Sequence, residues 1–326
     1  MKTAILSITL LALPIASTHA ANLFVRHDGY GNECNAAVPC GSLQAAINRA
    51  GPKDRIHVSA GTYTENITIP AGKDGLQIRG DDAEDTLLIS AGGDNPPKFA
   101  PAGVPVDIIV DIFSANVTIE ELTIRHPAGI PTKRDIGIFV RPTAINASIE
   151  KNSIERLRTG AVLEPTNPGS RGVFVIRATG TEITKNRFSG NYEDHVHLPT
   201  SGSEVVKNKI SGALRLGIVV IQETPDTLSR DNVITNNTVR DSGSDGIQIE
   251  GDANTVSRNK VTGSGGAGIR LCGPTSQPAC AAPGMSATSG DNIVTDNKLS
   301  GNAGGTIVDD GVGNTIRSSK VRAERN

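Results

Sequence analysis

One short stretch of the sequence gathers side chains that could transfer protons. Residues 192–197 read Tyr-Glu-Asp-His-Val-His and hold two of the six histidines and one of the three tyrosines of the chain. If Val196 and Leu198 point inward from a strand, His195 and His197 face outward, roughly 7 Å apart. A histidine beside carboxylates can serve as a general acid or base near neutral pH. Catalysis or ligand binding is one interpretation of this stretch, and a solvated surface strand with ordinary sequence variation is the other.

The chemistry that would suit these side chains is proton abstraction next to the carboxylate of a uronic acid sugar. That reaction needs a base, a cation to neutralise the carboxylate, and an acid for the leaving oxygen or the opposite face. The candidate catalytic residues are His195 or His197 as the base, Arg215 as the cation and Tyr192 as the acid, with Asp194 beside them. The candidate substrate-binding residues, on the same expected face, are Glu193, Gln248, Arg270 and Glu250.

The sequence specifies no cofactor with certainty. Glu193, Asp194 and Glu250 are clustered oxygen donors of the kind that Ca²⁺ prefers, so calcium is the candidate ion. A metal site made of the cysteines is not expected, because their spacing does not match a zinc motif.

These residues belong to a repeat in which an aliphatic residue, two polar residues, Asn or Ser, one further residue and a second apolar residue follow one another. The polar positions of the seven copies are Asn152, Asn186, Asn208, Asn237, Asn259, Asn297 and Ser319. They are separated by 34, 22, 29, 22, 38 and 22 residues. Twenty-two residues are too few for a pair of helices, and the aliphatic and polar alternation between Gly, Asn and Asp is typical of strands.

A second aliphatic run follows the repeated polar position in most copies. These runs occupy residues 160–163, 217–220, 246–249, 268–271 and 305–308. Each coil therefore holds at least two short strands, and stacked coils form a parallel β-helix with rungs about 4.8 Å apart. The repeated Asn would then form a ladder of side-chain amides that satisfies buried polar groups at a corner.

The chain resembles the right-handed parallel β-helix repeat proteins, which have the pectin-lyase-like architecture. The resemblance rests on these repeats and on the N-terminal segments 40–50, 54–58 and 60–63, which look like the helix, first strand and Gly-Thr-Tyr opening of that family. It implies an all-β, right-handed parallel β-helix with a short N-terminal capping helix at residues 42–50. The family includes lyases, hydrolases, esterases, epimerases, tailspikes and noncatalytic proteins, so the fold does not choose the chemistry.

Residues 192–197 are also loosely similar to the Tyr…Asp-Pro-His element of mannuronan C5-epimerases, which share this fold. Here the Pro is absent and the spacing from Tyr192 to Asp194 is one residue shorter.

Export is indicated by the first twenty residues. Lys2 precedes an apolar run that ends in Ser17-Thr18-His19-Ala20, which is the pattern of a secretory signal peptide. Residues 21–326 are then a single β-helix domain in the periplasm or outside the cell. In that compartment Cys34 with Cys40, and Cys272 with Cys280, are expected to form disulfides. The formal charge of −2 argues against a broad nucleic-acid footprint, and no later segment is apolar enough to insert into a membrane.

The longer repeats carry surplus residues around 166–177, 222–231 and 272–291. We expect these insertions to emerge on one side and to line a groove. The leading functional hypothesis is a protein that binds, and cleaves or epimerises, an acidic polysaccharide along this groove, as a polysaccharide lyase or an enzyme like the uronate C5-epimerases. The alternatives are a noncatalytic surface, adhesive or scaffold protein, and a periplasmic accessory of copper-site assembly that uses the histidine pair.

Overall fold

The structure is a computed structural model that describes residues 20–92, 106–128, 134–157, 169–222, 229–273, 280, 289–317 and 319–321. The signal-peptide prediction and the strand predicted at residues 160–163 lie outside the described residues, apart from Ala20. The described chain forms one helix, α1 (Leu43–Arg49), and thirty short strands. It is therefore an all-β protein with a short helix near its N-terminus, as the sequence predicts.

The strands are, in chain order, β1 (Asn22–Val25), β2 (Arg55–Val58), β3 (Gly61–Thr64), β4 (Ile67–Ile69), β5 (Gln77–Gly80), β6 (Thr86–Ile89), β7 (Val106–Ile112), β8 (Thr118–Glu120), β9 (Thr123–His126), β10 (Arg134–Val140), β11 (Ser148–Glu150), β12 (Ser153–Arg156), β13 (Arg171–Val175), β14 (Glu182–Thr184), β15 (Arg187–Gly190), β16 (Asp194–Leu198), β17 (Glu204–Val206), β18 (Lys209–Ser211), β19 (Leu216–Val220), β20 (Val233–Thr235), β21 (Thr238–Arg240), β22 (Ile247–Ile249), β23 (Thr255–Ser257), β24 (Lys260–Thr262), β25 (Ile269–Leu271), β26 (Ile293–Thr295), β27 (Lys298–Ser300), β28 (Ile307–Asp309), β29 (Thr315–Arg317) and β30 (Lys320–Val321).

These strands stack into three parallel sheets. Sheet A has the order β1-β2-β5-β8-β11-β14-β17-β20-β23-β26-β29, sheet B has the order β3-β6-β9-β12-β15-β18-β21-β24-β27-β30, and sheet C has the order β4-β7-β10-β13-β16-β19-β22-β25-β28. From β5 onward, successive strands along the chain visit sheets A, B and C in turn. This arrangement confirms the predicted parallel β-helix, in which each coil contributes one strand to each sheet.

Aliphatic side chains fill the interior of the solenoid. In sheet A, for example, Ile149, Ile183, Val205, Ile234 and Val256 pair in register from one coil to the next and are fully buried. A single coil exposes this apolar row, so each coil is stable only because another coil lies above and below it.

The predicted asparagine ladder lies at the corner between sheets A and B. The Asn208 Oδ1 atom accepts hydrogen bonds from the backbone N–H of Asn186 at 2.8 Å and from its side-chain Nδ2 at 3.1 Å. The same contacts repeat at every step from Asn152 to Asn259, and Asn259 donates to Asn297 in the same way. The ladder therefore satisfies the backbone N–H groups of consecutive buried corners.

A second asparagine ladder, which the sequence analysis missed, lies at the corner between sheets C and A. The backbone N–H of Asn232 donates to Asn254 Oδ1 at 2.9 Å, and the bonds continue through Asn292 to Asn314. These four positions are 22, 38 and 22 residues apart, the same steps as in the first ladder. That shared spacing was the signal that would have revealed them.

Helix α1 covers the N-terminal end of the solenoid. The Ser42 side chain accepts a hydrogen bond from the Ala45 N–H, and Leu43, Ala46 and Ile47 are buried. These three side chains join the main core. The predicted capping helix is confirmed, and it is held by its apolar face because seven residues are too few for a helix to be stable alone.

Both predicted disulfides are present, Cys34 with Cys40 and Cys272 with Cys280. Within the described ranges there is no helix long and apolar enough to cross a membrane.

The prediction that the three insertions share one side of the solenoid is wrong. Strand β13 (Arg171–Val175) comes after the surplus residues of its coil, so residues 158–168 lie between a strand of sheet B and a strand of sheet C. The other two surpluses follow β19 and β25, which belong to sheet C. One insertion therefore precedes a strand of sheet C and the other two follow strands of sheet C.

We expect Asn208→Ala to lower the free energy of unfolding by about 2–4 kcal/mol, because it leaves the buried N–H of Asn186 without an acceptor and removes a donor to Ile183 O. Chemical denaturation gives this difference. The matched control is the exposed residue after it, changed as Lys209→Ala, which should alter stability by no more than about 0.5 kcal/mol. Equal losses of unfolding free energy for the two substitutions would show that the ladder does not stabilise the stacking of the coils.

Candidate functional site

The strands of sheet C depart from simple alternation at one position, and this decides where His195 points. The pairing of β16 with β19, of β19 with β22 and of β22 with β25 places His195 level with Gly217, Gly246 and Gly268. A Cβ atom on Gly217 would lie 2.5 Å from a methyl group of the core residue Val239. This position therefore faces the interior of the solenoid.

His195 accordingly lies inside the solenoid, and the prediction that it faces outward is wrong. Its ring makes edge contacts with the core residues Phe188 and Tyr192, with centroid distances of 5.8 and 5.9 Å. Its Nε2 atom donates to the carbonyl oxygen of Ser211 at 3.1 Å. Because Val196 is also in the core, two consecutive residues point inward here, and the simple alternation of a strand does not hold at this position.

Tyr192 is also inside the solenoid rather than beside an outward-facing histidine. It is fully buried, and its hydroxyl group lies 2.8 Å from the Nδ1 atom of His126. The two rings meet edge to face. Tyr192 therefore lies with His195 on the inner side of the coil, and it does not stand next to His197 as a catalytic acid.

Three of the candidate catalytic residues do come together on the outer face of sheet C. The Nδ1 atom of His197 lies 2.9 Å from Asp194 Oδ2. Arg215, one coil further along, reaches Asp194 at 3.4 Å, and its Nη1 atom lies 3.6 Å from Glu193 Oε1. We call Glu193, Asp194, His197 and Arg215 the sheet C cluster. Only Arg215 is well exposed, with 41% of its side chain accessible, whereas Asp194 and His197 are 1% exposed.

Electrostatics keep Asp194 ionised. Burial by itself raises the pKa of this carboxyl group, but the hydrogen bond from His197 and the positive charge of Arg215 lower it to about 2. For Arg215, burial lowers the pKa, and the carboxylates of Asp194, Glu193 and Glu250 more than reverse this. An ionised carboxylate can only accept hydrogen bonds, so the Nδ1 atom of His197 carries the proton of this bond.

Two of the four candidate substrate-binding residues, Gln248 and Arg270, occupy the same outer row of sheet C as His197. His197, Val219, Gln248 and Arg270 stack in register across β16, β19, β22 and β25. The next residue in this row is Val308.

Gln248 and Glu250 form a buried pair on this face. The Nε2 atom of Gln248 donates to Glu250 Oε1 at 2.6 Å. Arg270 is held by Asp245 at 2.7 Å and lies 3.8 Å from Asp310. Polar side chains thus continue along the outer face of sheet C for three coils beyond His197.

An aromatic and arginine row continues the outer face in the other direction, and the sequence analysis missed it. Phe174 pairs in register with His197, and its ring stacks on Phe139 at 4.8 Å. The guanidinium carbons of Arg141 and Arg171 lie 3.8 Å and 4.3 Å from the ring centres of Phe139 and Phe174. The signal was a Gly-aliphatic-Phe triplet in β10 and β13, which matches His195-Val196-His197 in β16.

Comparison with known proteins identifies the family. The sequence model of the family described as "Right handed beta helix region" matches residues 107–279, which is more than half of the chain. The chain belongs to this right-handed β-helix family. Among curated proteins, none matches this sequence.

Solved structures share the fold of this right-handed β-helix protein at low sequence identity. The Dettilon tailspike protein gp208 is 18% identical with a TM-score of 0.58, and the match covers 79% of this chain and 46% of the tailspike. A rhamnogalacturonan lyase is 12% identical with a TM-score of 0.55, covering 87% of this chain and 69% of the lyase. The pectin methylesterase PemA from Erwinia chrysanthemi is 14% identical with a TM-score of 0.51, covering 89% and 81%. These likenesses concern the fold, and this chain spans under half the length of the tailspike.

One group of buried side chains in the β-helix interior has the composition of a metal site. Asp107, His126 and Asp135 each offer a ligand atom, and these atoms lie within 4.8 Å of one another. The Nε2 atom of His126 is 3.8 Å from Asp107 Oδ2 and 4.0 Å from Asp135 Oδ1. Asp107 also accepts from Asn66 and Ser90, and Asp135 accepts from Arg156. Hydrogen-bond donors and a neighbouring arginine thus already neutralise much of the charge of these carboxylates.

The calcium prediction concerned Glu193, Asp194 and Glu250. In the described part of the chain these three carboxylates do not form a group with ligand atoms within 4.8 Å, and Asp194 is engaged by Arg215 and His197. Glu250 does lie near Cys272 and Cys280, but these sulfur atoms are joined in a disulfide. Calcium binding stays a prediction that the activity assay below tests.

We expect the interior position of His195 to make stability fall in mild acid. Burial lowers the pKa of His195 to about 4 from an ordinary value of 6.5, although its bond to Ser211 and the charge of Asp194 act in the opposite direction. Between pH 6.5 and 4 the imidazole of His195 is protonated in the unfolded chain but stays neutral in the folded chain. About 3 kcal/mol of folding stability that is present above pH 6.5 is therefore lost as the pH falls to 4.

The measurement is the free energy of unfolding against pH for the wild type and for His195→Gln. The variant should lose less stability than the wild type between pH 6.5 and 4, whereas the exposed control His27→Gln should follow the wild type. If the free energy of unfolding fell by the same amount between pH 6.5 and 4 in the wild type and in His195→Gln, His195 would not be held neutral in the core.

Proposed function

We propose that this right-handed β-helix protein is exported and binds an acidic polysaccharide at the sheet C cluster, where His197 transfers a proton. The observation that carries the proposal is the contact of His197 with ionised Asp194 next to the partly exposed Arg215. The fold supports it, because the similar structures include a rhamnogalacturonan lyase and a pectin methylesterase, whose names indicate action on polysaccharides.

Each residue of the sheet C cluster has a role that follows from its geometry. Arg215 presents a guanidinium group that pairs with the carboxylate of a uronic acid unit. Asp194 holds the ring of His197 through Nδ1, which directs the basic Nε2 atom to the proton next to that carboxylate. Glu193 lies beside Arg215 and helps to orient it.

Removal of this proton can lead to either of two reactions. In a lyase, the electron pair left by the proton forms a carbon–carbon double bond and expels the glycosidic oxygen, which takes up a proton from water. In a C5-epimerase, a proton from water returns to the same carbon from the opposite face and inverts it. Tyr192 was the predicted acid for this step, but its interior position assigns it to the packing around His126 and His195 instead.

The burial of the cluster favours a second candidate function, that of a noncatalytic surface or scaffold β-helix. Asp194 and His197 are each 1% exposed, and such a buried hydrogen-bonded pair also serves simply to fix the strands of sheet C. The copper-accessory alternative loses its main support, because His195 contacts the interior residue Phe188 whereas His197 contacts Phe174 of the outer row. The two histidines therefore do not form a pair of ligands on one face.

The test incubates the purified exported protein with a panel of uronic acid polysaccharides, with and without Ca²⁺. Absorbance detects unsaturated products, and incorporation of solvent deuterium detects epimerisation. We expect His197→Gln to lower turnover by about 10²-fold or more, as the loss of a general base does, and Arg215→Gln to weaken polysaccharide binding. Arg230→Gln, which removes the same charge from a surface pair with Asp231, is the matched control and should behave as the wild type.

Turnover that survives His197→Gln would refute the assignment of the base. Absence of both binding and turnover across the panel would favour the noncatalytic scaffold. A mature N-terminus at Ala21, read by mass spectrometry of the protein recovered outside the cytoplasm, would establish export.

A further inference from the structure

Positively charged residues flank the first asparagine ladder. Asn186 is preceded by Lys185 and followed by Arg187, and Asn208 stands between Lys207 and Lys209. Three further coils carry the pattern in whole or in part, with Lys151 before Asn152, with Arg258 and Lys260 around Asn259, and with Lys298 after Asn297. The repeat that builds the ladder therefore also repeats positive charge.

The ladder geometry explains why both flanking side chains are exposed. Each ladder Asn is buried so that its amide can reach the next coil, and the residue before it turns the corner with φ between 54° and 58° at Lys185, Lys207 and Arg258. The residue after it begins a strand of sheet B and points to the opposite side from the buried residue that follows. All of these Lys and Arg side chains are exposed.

The exposed cations line up along the solenoid axis. Arg187 pairs directly with Lys209, Lys209 with Thr238, Thr238 with Lys260, and Lys260 with Lys298. Neighbouring strands are about 4.8 Å apart. Thr238 interrupts the row, and the exposed cation of that strand is Arg240, two residues further on and on the same face. We define the basic stripe as Lys185, Arg187, Lys207, Lys209, Arg240, Arg258, Lys260 and Lys298.

The stripe is poorly balanced by nearby acids, although the whole chain has a formal charge of −2. Of its members, Lys185 makes an ion pair, with Glu150 at 2.8 Å, and within the described ranges no ion pair involves the other seven. Asp296, before Asn297, and Asp241, after Arg240, are the acidic residues adjacent to the stripe in sequence. Like charges directly opposite one another across a sheet are destabilising, so this arrangement costs stability in the free protein.

The outer face of sheet B also offers hydroxyl groups beside the cations. Ser189, Ser211, Thr262 and Ser300 lie two residues after the cation that begins each strand, and therefore on the same face. Each of the four is partly exposed. A row of cations next to a row of hydroxyl groups suits a ligand that carries both carboxylates and hydroxyl groups.

We propose that the basic stripe on sheet B is a binding surface for a linear acidic polysaccharide, aligned with the solenoid axis. A polyuronate carries one carboxylate on each sugar unit, and the stripe presents cations at successive rungs. Nucleic acid is less well matched, because the stripe contains no aromatic side chain on which bases could stack. The stripe is separate from the sheet C cluster, and the proposal goes beyond the function of that cluster and does not depend on any turnover there.

The experiment measures binding of the full exported protein to polygalacturonate by titration calorimetry between 50 and 200 mM salt. The test variant is Lys207→Gln/Lys209→Gln/Lys260→Gln. The control variant, Lys53→Gln/Arg55→Gln/Arg230→Gln, removes three exposed charges at other places. We expect the test variant to bind at least about tenfold more weakly at low salt, with a salt dependence reduced by about 2 in log–log slope, as expected for the loss of three charge contacts. The control should match the wild type.

Three results would overturn the proposal. The first is equal affinity of the test and control variants. The second is equally tight binding of the galacturonic acid monosaccharide, because the stripe requires a polymer. The third is displacement of polygalacturonate by an equal charge concentration of single-stranded DNA, which would indicate a nucleic-acid surface.

A short oligosaccharide distinguishes this proposal from the function of the sheet C cluster. The stripe variant should keep any turnover of the short oligosaccharide, which Arg215→Gln should lower. Arg215→Gln removes one charge, so it should change the salt dependence of polymer binding less than the stripe variant does. Unchanged melting temperatures of all variants verify that they are folded.

Discussion

Six successive coils, from the one with Asn152 to the one with Asn297, depend on the amide-to-amide hydrogen bonds between stacked asparagines. In these coils the chain turns a corner between sheets A and B, and the N–H group there is buried and needs an acceptor. The Oδ1 atom of the next Asn supplies it, for example from Asn237 to Asn208. Because this contact fixes the register of adjacent coils, it also determines which side chains are stacked on each outer face. The Asp194 and His197 contact on sheet C and the basic stripe on sheet B both follow from that register.

The sequence was sufficient for features that rest on periodicity or local chemistry. The 22-residue period, the buried asparagines, the Ser42 cap and the two short disulfide loops all follow from residue types and spacing. Three features did not. His195 was expected outside because alternation was assumed across a position where neighbouring coils carry glycine. Strand β13 was not predicted, because the Gly-aliphatic pattern at residues 160–163 was assigned to the second strand of that coil. The burial of His197 depends on tertiary packing, which no local pattern encodes.

The candidate site is consequently smaller than the sequence suggested, and its parts have different roles. Tyr192 and His195 pack in the interior near His126. Asp194 and His197 form a hydrogen bond on the outer face, where Arg215 contacts Asp194 and is itself partly exposed to solvent. The outer face also carries Phe139 and Phe174, with arginines over both rings. The right-handed β-helix is shared by a tailspike, a lyase and an esterase with under 20% identity to this chain, so these side chains, and not the fold, must determine the chemistry.

The most direct test of the central claim is a crystal structure of the protein bound to a short oligogalacturonate. Our account predicts one uronate carboxylate within hydrogen-bond distance of the Arg215 guanidinium, with the adjacent carbon-bound proton facing the Nε2 atom of His197. An oligosaccharide bound elsewhere, with no sugar in contact with Arg215 or His197, would contradict the claim. In that case the Asp194 and His197 pair would be part of the structural framework of sheet C.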